Sequence, residues 1–461
     1  MAVTQLPPTA PSSAAHQGTV RRQSAREPAA RAYARSLPVV PVRARGLTIE
    51  AADGRRYLDC LSGAGSLVLG HHHPVVLEAI RAALDPGPAP GVITPVQDAF
   101  TDELFATLPR GLADTAHVRF CGPAHADAVE AAFHLVRTAT GRTGLLAFTG
   151  SDHRAPGTRV TRLPYPQDYR CPFGVGGRLG AQLAARWAES LLDDACGGAG
   201  APAGMVVEPV QGEGGVIPAP EDWLRRLRAL TEARSVPLIA DELQTGVGRT
   251  GRFWAVEHSG IEPDVMILSK GMGGSLPLAV IVHREGLDAG PPGDRAGVSR
   301  GNQLAMAAGA ATLRHVRENG LAERAALLGE RMLRHLRQLA REHDCVGDVR
   351  GLGLMIGVEF VDPDGDPAGR GEPPDAPPGP RPPAPALAAA VQQECLRRGL
   401  IVEPGGRHSC VVRLLPPLTI TDEQAHAILD RFSDAVSAAA RKHSRPATPS
   451  TPKEAGAASP A

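Results

Sequence analysis

Residues 238–274 read LIADELQTGVGRTGRFWAVEHSGIEPDVMILSKGMGG. Two short apolar runs in this stretch end in chemistry: LIA stops at Asp241, and VMIL is followed by Ser269 and Lys270. Runs that are apolar at every position are expected of strands covered on both faces. In parallel α/β sheets the residues just past the carboxyl ends of the strands line the ligand crevice. Asp241 and Lys270 are therefore offered to one ligand. Lys270 is also the first lysine of the chain; Lys442 and Lys453 are the only others, and the rest of the 49 basic residues are arginine. Arginine stays charged at any relevant pH, whereas a desolvated lysine loses its proton and attacks carbonyls. Position 270 calls for an amine.

The bulk composition excludes several classes. Lysine plus arginine equals aspartate plus glutamate at 49 each among 461 residues, so no basic excess points to nucleic acid or an anionic membrane. Apolar runs such as LAMAAGAATL are too short to span a bilayer, and no signal-peptide pattern is present. The seven cysteines are scattered and contain no CxxC pair, which suits a reducing cytoplasm and gives no metal site. The triple histidine of GHHHP is read as loop.

Composition also divides the chain. Residues 1–35 are rich in Ala, Pro, Ser and Arg and are expected to be a disordered tail, as is 441–461. Residues 36–70 contain LTIEAADGRRYLDCLSG, a hairpin turning at Asp53-Gly54, expected to pack with a smaller domain. From 71 to 320, apolar strands (GMVVEPV, PLIAD, DVMILSK, LAVIVHR) alternate with helical patterns such as HADAVEAAFHLV, where Val129, Ala132, Phe133 and Val136 share a face. That alternation predicts a large α/β domain with a mostly parallel sheet. Residues 321–440 predict a small α+β domain: a long amphipathic helix, the strands MIGVEF, LIVEP and CVVRLL, and a last helix opened by Thr421 and Gln424. A proline-rich stretch, 362–386, is expected to be a solvent-exposed insertion.

The cofactor that uses an amine and a carboxylate together is pyridoxal phosphate (PLP), whose aldehyde forms a Schiff base and whose ring nitrogen is kept protonated by an acid. The quoted stretch, continued through SLPLA, resembles the signature of the class III aminotransferases, which have the type I PLP fold. The resemblance extends from about residue 33 to 440. It implies that Lys270 carries the Schiff base and moves the proton, that Asp241 pairs with the ring nitrogen, and that Gln244 contacts the ring hydroxyl. Gly122, His125, Ala126, His153 and Glu208 would line the same cofactor site. Arg413, in VVRLLPP, resembles the arginine that grips a substrate α-carboxylate, and Glu213, in EPVQGEGG, the acid that covers it. The segment RGNQLAMAAG resembles one that crosses to a neighbouring site, which implies a homodimer.

YLDCLSGAGSLVLGHHHP, GPAHADAVEAA and GLIVEPGGRHSCVVRLLPPLTIT resemble the subgroup that exchanges an amino group between 2,4-diaminobutyrate and 2-oxoglutarate. Another diamino acid, ornithine or acetylornithine, is the alternative substrate. Several positions depart from the family pattern. His125 and Ala126 stand where Gly-Thr usually opens the phosphate-binding helix, Asp152-His153-Arg154 replaces an aromatic-His-Gly, and Val298 replaces a threonine. Losing two hydroxyls and a stacking ring costs about 4–6 kcal/mol of cofactor binding. Two readings follow: an active aminotransferase, or a non-catalytic homologue acting as a partner subunit. The joint retention of Lys270, Asp241, Gln244, Glu208, Glu213 and Arg413 favours the enzyme.

Overall fold

The computed structural model describes residues 13–27, 37–85, 93–154, 157–194, 200–288, 301–366 and 379–443. Three strands open the folded part: β1 (Pro41–Arg45), β2 (Thr48–Ala51) and β3 (Arg56–Asp59). β2 and β3 form the expected hairpin, with Gly54 at φ +82°, a conformation side-chain-bearing residues avoid.

The central sheet follows. Its strands are β4 (Ala116–Phe120), β5 (Leu145–Phe148), β6 (Val160–Leu163), β7 (Gly204–Val207), β10 (Leu238–Asp241), β11 (Val265–Leu268) and β12 (Val280–Arg284); the short strands β8 (Val210–Gln211) and β9 (Ile217–Pro218) form a separate ribbon. Spatial order is β4-β12-β11-β10-β7-β5-β6, parallel except for β12, which runs antiparallel to both β4 and β11. This is the α/β architecture of the type I PLP fold. Every residue of β5, β7, β10 and β11 is buried, as their unbroken apolar sequences require. Each fully buried Ile, Leu, Met or Val stabilises the sheet by roughly 1.5–3 kcal/mol relative to an exposed one. Helix His125–Thr140 seals one face through Val129, Ala132, Phe133 and Val136.

The C-terminal part holds helix Leu321–Glu342, strands β13 (Val346–Leu352) and β14 (Met355–Phe360), helix Pro385–Arg397, strands β15 (Leu400–Ile401), β16 (Glu403–Gly405) and β17 (Val411–Leu414), and helix Asp422–His443. β13-β14-β17-β16 form an antiparallel sheet, while β15 joins the first sheet beside β3. Thr421 and Gln424 make the reciprocal cap at 3.0 and 3.2 Å.

Four expectations need correction. The N-terminal 35 residues include a helix, Ser13–Arg26, because prolines stop at Pro11 and resume at Pro28, leaving a proline-free run of Ala, Gln, Arg and Ser. The last helix runs to His443, past the expected boundary at 440. LIVEP is not one strand: Val402 separates β15 from β16, and the two halves serve different sheets. The proline-rich insertion ends before Pro385, where a helix starts with proline at its first turn; its flanks are joined by an Asp362 N–H donating to Pro382 O at 2.9 Å. Residues 367–378 and Val298 lie outside the described residues. Among the described residues no helix is long and apolar enough to cross a membrane.

Candidate active site

The two residues singled out at strand ends do share a cavity. Asp241 closes β10 and Lys270 opens a single 3-10 turn, Lys270–Gly273, one residue after Ser269 has left β11. Lys270 sits at φ +49°, a strained conformation that requires support from its surroundings. Support comes from two sides. Ser269 Oγ donates to Leu278 O at 3.0 Å, and helix Gln303–Glu318 presses on the turn through Gly309, where a Cβ would lie 2.0 Å from Met272 O. The Lys270 amine donates to the carbonyl of Ala64 at 3.0 Å, and Gln244 Nε2 donates to the same oxygen at 3.1 Å. Burial lowers the Lys270 pKa and Arg413 adds to this, against the pull of Glu213. Near neutrality the free amine is therefore more accessible than in an ordinary lysine.

The cavity holds about 260 Å³, and Lys270, Asp241, Gln244, Glu208, His125, His153, Ala126 and Glu213 are among its lining residues. Asp241 is buried, and its Oδ2 accepts from His153 Nε2 at 2.8 Å and from His125 Nε2 at 3.1 Å. Its Oδ1 accepts the Leu243 N–H at 2.9 Å. Burial alone would raise its pKa; the two histidine hydrogen bonds outweigh this and keep it well below the usual carboxylate range. His153 is only 4% exposed. Burial disfavours its charged form, but the bond to Asp241 and the nearby Glu208 charge raise its pKa overall. Burial pushes Glu208 up to about 7, with Asp241 adding and His153 opposing; its Oε2 accepts the Gly212 N–H at 3.0 Å.

At the start of helix His125–Thr140 the Asp127 carboxylate accepts the Ala124 N–H at 3.0 Å and lies against Gly122, where a Cβ would approach it to 2.1 Å. His125, expected at this anion-binding end, turns its ring into the cavity to reach Asp241.

Arg413 lies on β17, 4% exposed at its side chain, between two acids. Glu213 Oε1 is 2.8 Å from Nη1, and Nη2 donates to Glu403 Oε2 at 2.9 Å, across the β16–β17 pairing. Its Nε has no hydrogen-bond partner among the described residues, and Nη1 faces the Glu213 carboxylate. Charge from Arg413 holds Glu213 below its usual range despite partial burial. The 213 loop is tied to the C-terminal sheet by Arg350, whose Nε donates to Gly215 O at 3.0 Å and Val216 O at 3.2 Å and whose Nη1 bonds Glu359 at 2.7 Å.

The family profile described as Aminotransferase class-III matches residues 29–154 and 157–436. The chain belongs to the class III aminotransferases. A diaminobutyrate–2-oxoglutarate aminotransferase of Rhizobium meliloti (strain 1021) is 47% identical, covering 92% of this chain and 93% of the relative. One of the same name from Haemophilus influenzae is 39% identical, covering 94% and 98%. Among solved structures, an amine transaminase from an uncultivated Pseudomonas species in the PLP-bound (internal aldimine) form superposes with TM-score 0.75 at 28% identity, covering 88% and 95%. As a class III aminotransferase the chain has the donors that such a cofactor needs at its reacting end: an amine depressed by burial and an ionised buried carboxylate in one cavity. Lys270, Asp241, Gln244, Glu208 and Glu213 line one cavity, and Arg413 adjoins it through its ion pair with Glu213. The sequence reading missed Ala64, whose contribution is a backbone carbonyl, and Glu403, ten positions from Arg413 but opposite it across a hairpin. The register of alternation in LIVEP and CVVRLL carried the only signal for the latter.

Proposed function

We propose that the chain moves the terminal amino group of 2,4-diaminobutyrate to 2-oxoglutarate, giving aspartate 4-semialdehyde and glutamate, or the reverse, with PLP held by Lys270, Asp241, Gln244, Glu208, His153 and the helix start near Gly122, His125 and Ala126. The observation that carries the reading is the convergence of Lys270 and Asp241 from neighbouring strand ends on one cavity. The substrate choice rests on the relatives' names. When bound, the cofactor supplies an aldehyde to the amine and a ring that accepts electrons from the substrate carbon. Lys270, with its amine aimed by Ala64 O, would hold the cofactor through that aldehyde and would be the base that moves the substrate proton between carbon positions. Asp241, kept ionised by its histidine partners, would hold a proton on the cofactor's ring nitrogen. Arg413 would offer its Nη1 N–H to the α-carboxylate of glutamate once Glu213, 65% exposed, moves off; Glu213 would return when the reacting end of diaminobutyrate presents no carboxylate. A homodimer in the cytoplasm completes the proposal. Free buried thiols at Cys60, Cys121, Cys345, Cys395 and Cys410 support the reducing compartment.

The test has two arms. Borohydride reduction of the protein with PLP is expected to fix the cofactor on Lys270, with Lys270→Ala taking up none covalently. Diaminobutyrate, ornithine, acetylornithine and 4-aminobutyrate are then assayed side by side with 2-oxoglutarate. Faster turnover of any of the last three overturns the substrate, and uptake by Lys270→Ala equal to wild type overturns the mechanism.

A further inference from the structure

Asp241 has no room for another hydrogen bond at the oxygen that faces the cavity. Its Oδ2 already accepts from His153 at 2.8 Å and His125 at 3.1 Å, and Oδ1 accepts the Leu243 N–H. A carboxylate oxygen offers about two lone-pair sites, so a protonated ring nitrogen arriving at Oδ2 must displace one histidine. His153 is the poorer candidate to leave. It is almost wholly enclosed, and Arg162 Nη2 fixes its backbone by donating to its carbonyl at 3.0 Å. His125 is the first residue of its helix, its side chain is 34% exposed, and its single side-chain hydrogen bond among the described residues is the one to Asp241. The same residue lines the 260 Å³ cavity.

We infer that His125 acts as an internal stopper: its imidazole takes the hydrogen bond and the space that the cofactor ring needs, and PLP binds only to molecules in which His125 has rotated out. This rests on the reading that Asp241 receives the ring nitrogen. When the competent form is a fraction of the population, the observed affinity falls by that fraction. Breaking one hydrogen bond to a charged acceptor corresponds to a population factor of about 10–100.

Full-length protein stripped of cofactor is titrated with pyridoxal 5′-phosphate, reading equilibrium binding and association rate by absorbance, for wild type, His125→Ala, His125→Gly and His125→Gln. Alanine and glycine both remove the ring, and two variants guard against a folding defect in either, which thermal melting of the apoprotein monitors. Both are expected to bind about 10–100-fold tighter and to associate faster. Glutamine keeps a donor near Asp241 and is expected to stay near wild type. Unchanged or weaker binding in Ala and Gly, or Gln binding as tightly as Ala, overturns the stopper. The cofactor reading fails separately: if wild type and every variant take up no PLP on Lys270 after reduction, both ideas fall, whereas uptake by all of them with equal affinity sinks the stopper alone.

Discussion

Arg413 sits between two acids, Glu403 on the neighbouring strand and the more exposed Glu213 on a loop, and the asymmetry makes a testable claim. Glu403 holds Nη2 through the strand pairing, so Nη1 keeps its aim when Glu213 leaves. Arg413→Lys cannot reproduce that fork and is expected to slow the half-reaction with glutamate or 2-oxoglutarate by about 10–100-fold, with a much smaller effect on diaminobutyrate. Single-turnover spectra of each half-reaction measure this, and equal losses in both would reduce the pair to structure alone. A second residue-scale prediction concerns pH. Glu242 is fully buried beside Asp241; burial raises its pKa to about 7, against hydrogen bonds from Thr245 Oγ1 and from Val256 N at 2.8 Å. Folding therefore favours the protonated form. Its stabilising contribution is complete below the unfolded value of 4.5 and is lost as pH rises through about 7, a change of about 3 kcal/mol. Glu242→Gln should flatten that part of the stability profile, measured by urea unfolding between pH 4.5 and 8; an unchanged slope refutes the assignment. Nothing in the local sequence distinguishes Glu242 from a surface acid, since its burial comes from packing far along the chain. Lys270 was legible for the opposite reason: its chemistry cannot be served by the arginines the chain uses elsewhere.

Elements whose pattern was set locally were legible: the all-apolar strands, the 3.6-residue face of helix His125–Thr140, and the cap at Thr421. Strand β13 was not, because VGDVRGL alternates glycine and charge and owes its strand state to pairing with β14. The antiparallel direction of β12 was equally hidden, since a strand buried on both faces reads the same either way. Helix Gln303–Glu318 offers the element-scale test. Gly309 lets it approach Met272 so closely that a methyl group would overlap the carbonyl. Gly309→Ala should push the Lys270 turn away, destabilising the protein by about 1–3 kcal/mol and lowering the fraction of Lys270 that takes up PLP. Thermal melts and reductive trapping read the two effects. A variant that traps cofactor like wild type shows that the helix does not set the lysine's place.

At the scale of the molecule, the site draws on the first loop through Ala64, the central sheet through Asp241 and Lys270, and the C-terminal sheet through Arg413. Arg350 ties the Glu213 loop to the C-terminal sheet, so closure around a substrate should move the two together. The proposed homodimer belongs to this scale as well: sedimentation is expected to show a dimer at working concentration, and a fully active monomer rules out a shared site. The first sheet meets the C-terminal part through the divided strand: Leu58 pairs in parallel with Leu400, while Cys60 N and O bond Ile401 O at 2.9 Å and Leu415 N at 2.7 Å. This pairing has a consequence for synthesis. A ribosome finishes β1, β2 and β3 early, yet the strand that covers the edge of β3 emerges only near the end of translation. Until then the nascent chain carries an open hydrogen-bonding edge, so the first sheet to be made is among the last to close, and a message cut short before codon 400 should yield a product that aggregates rather than one that folds in part.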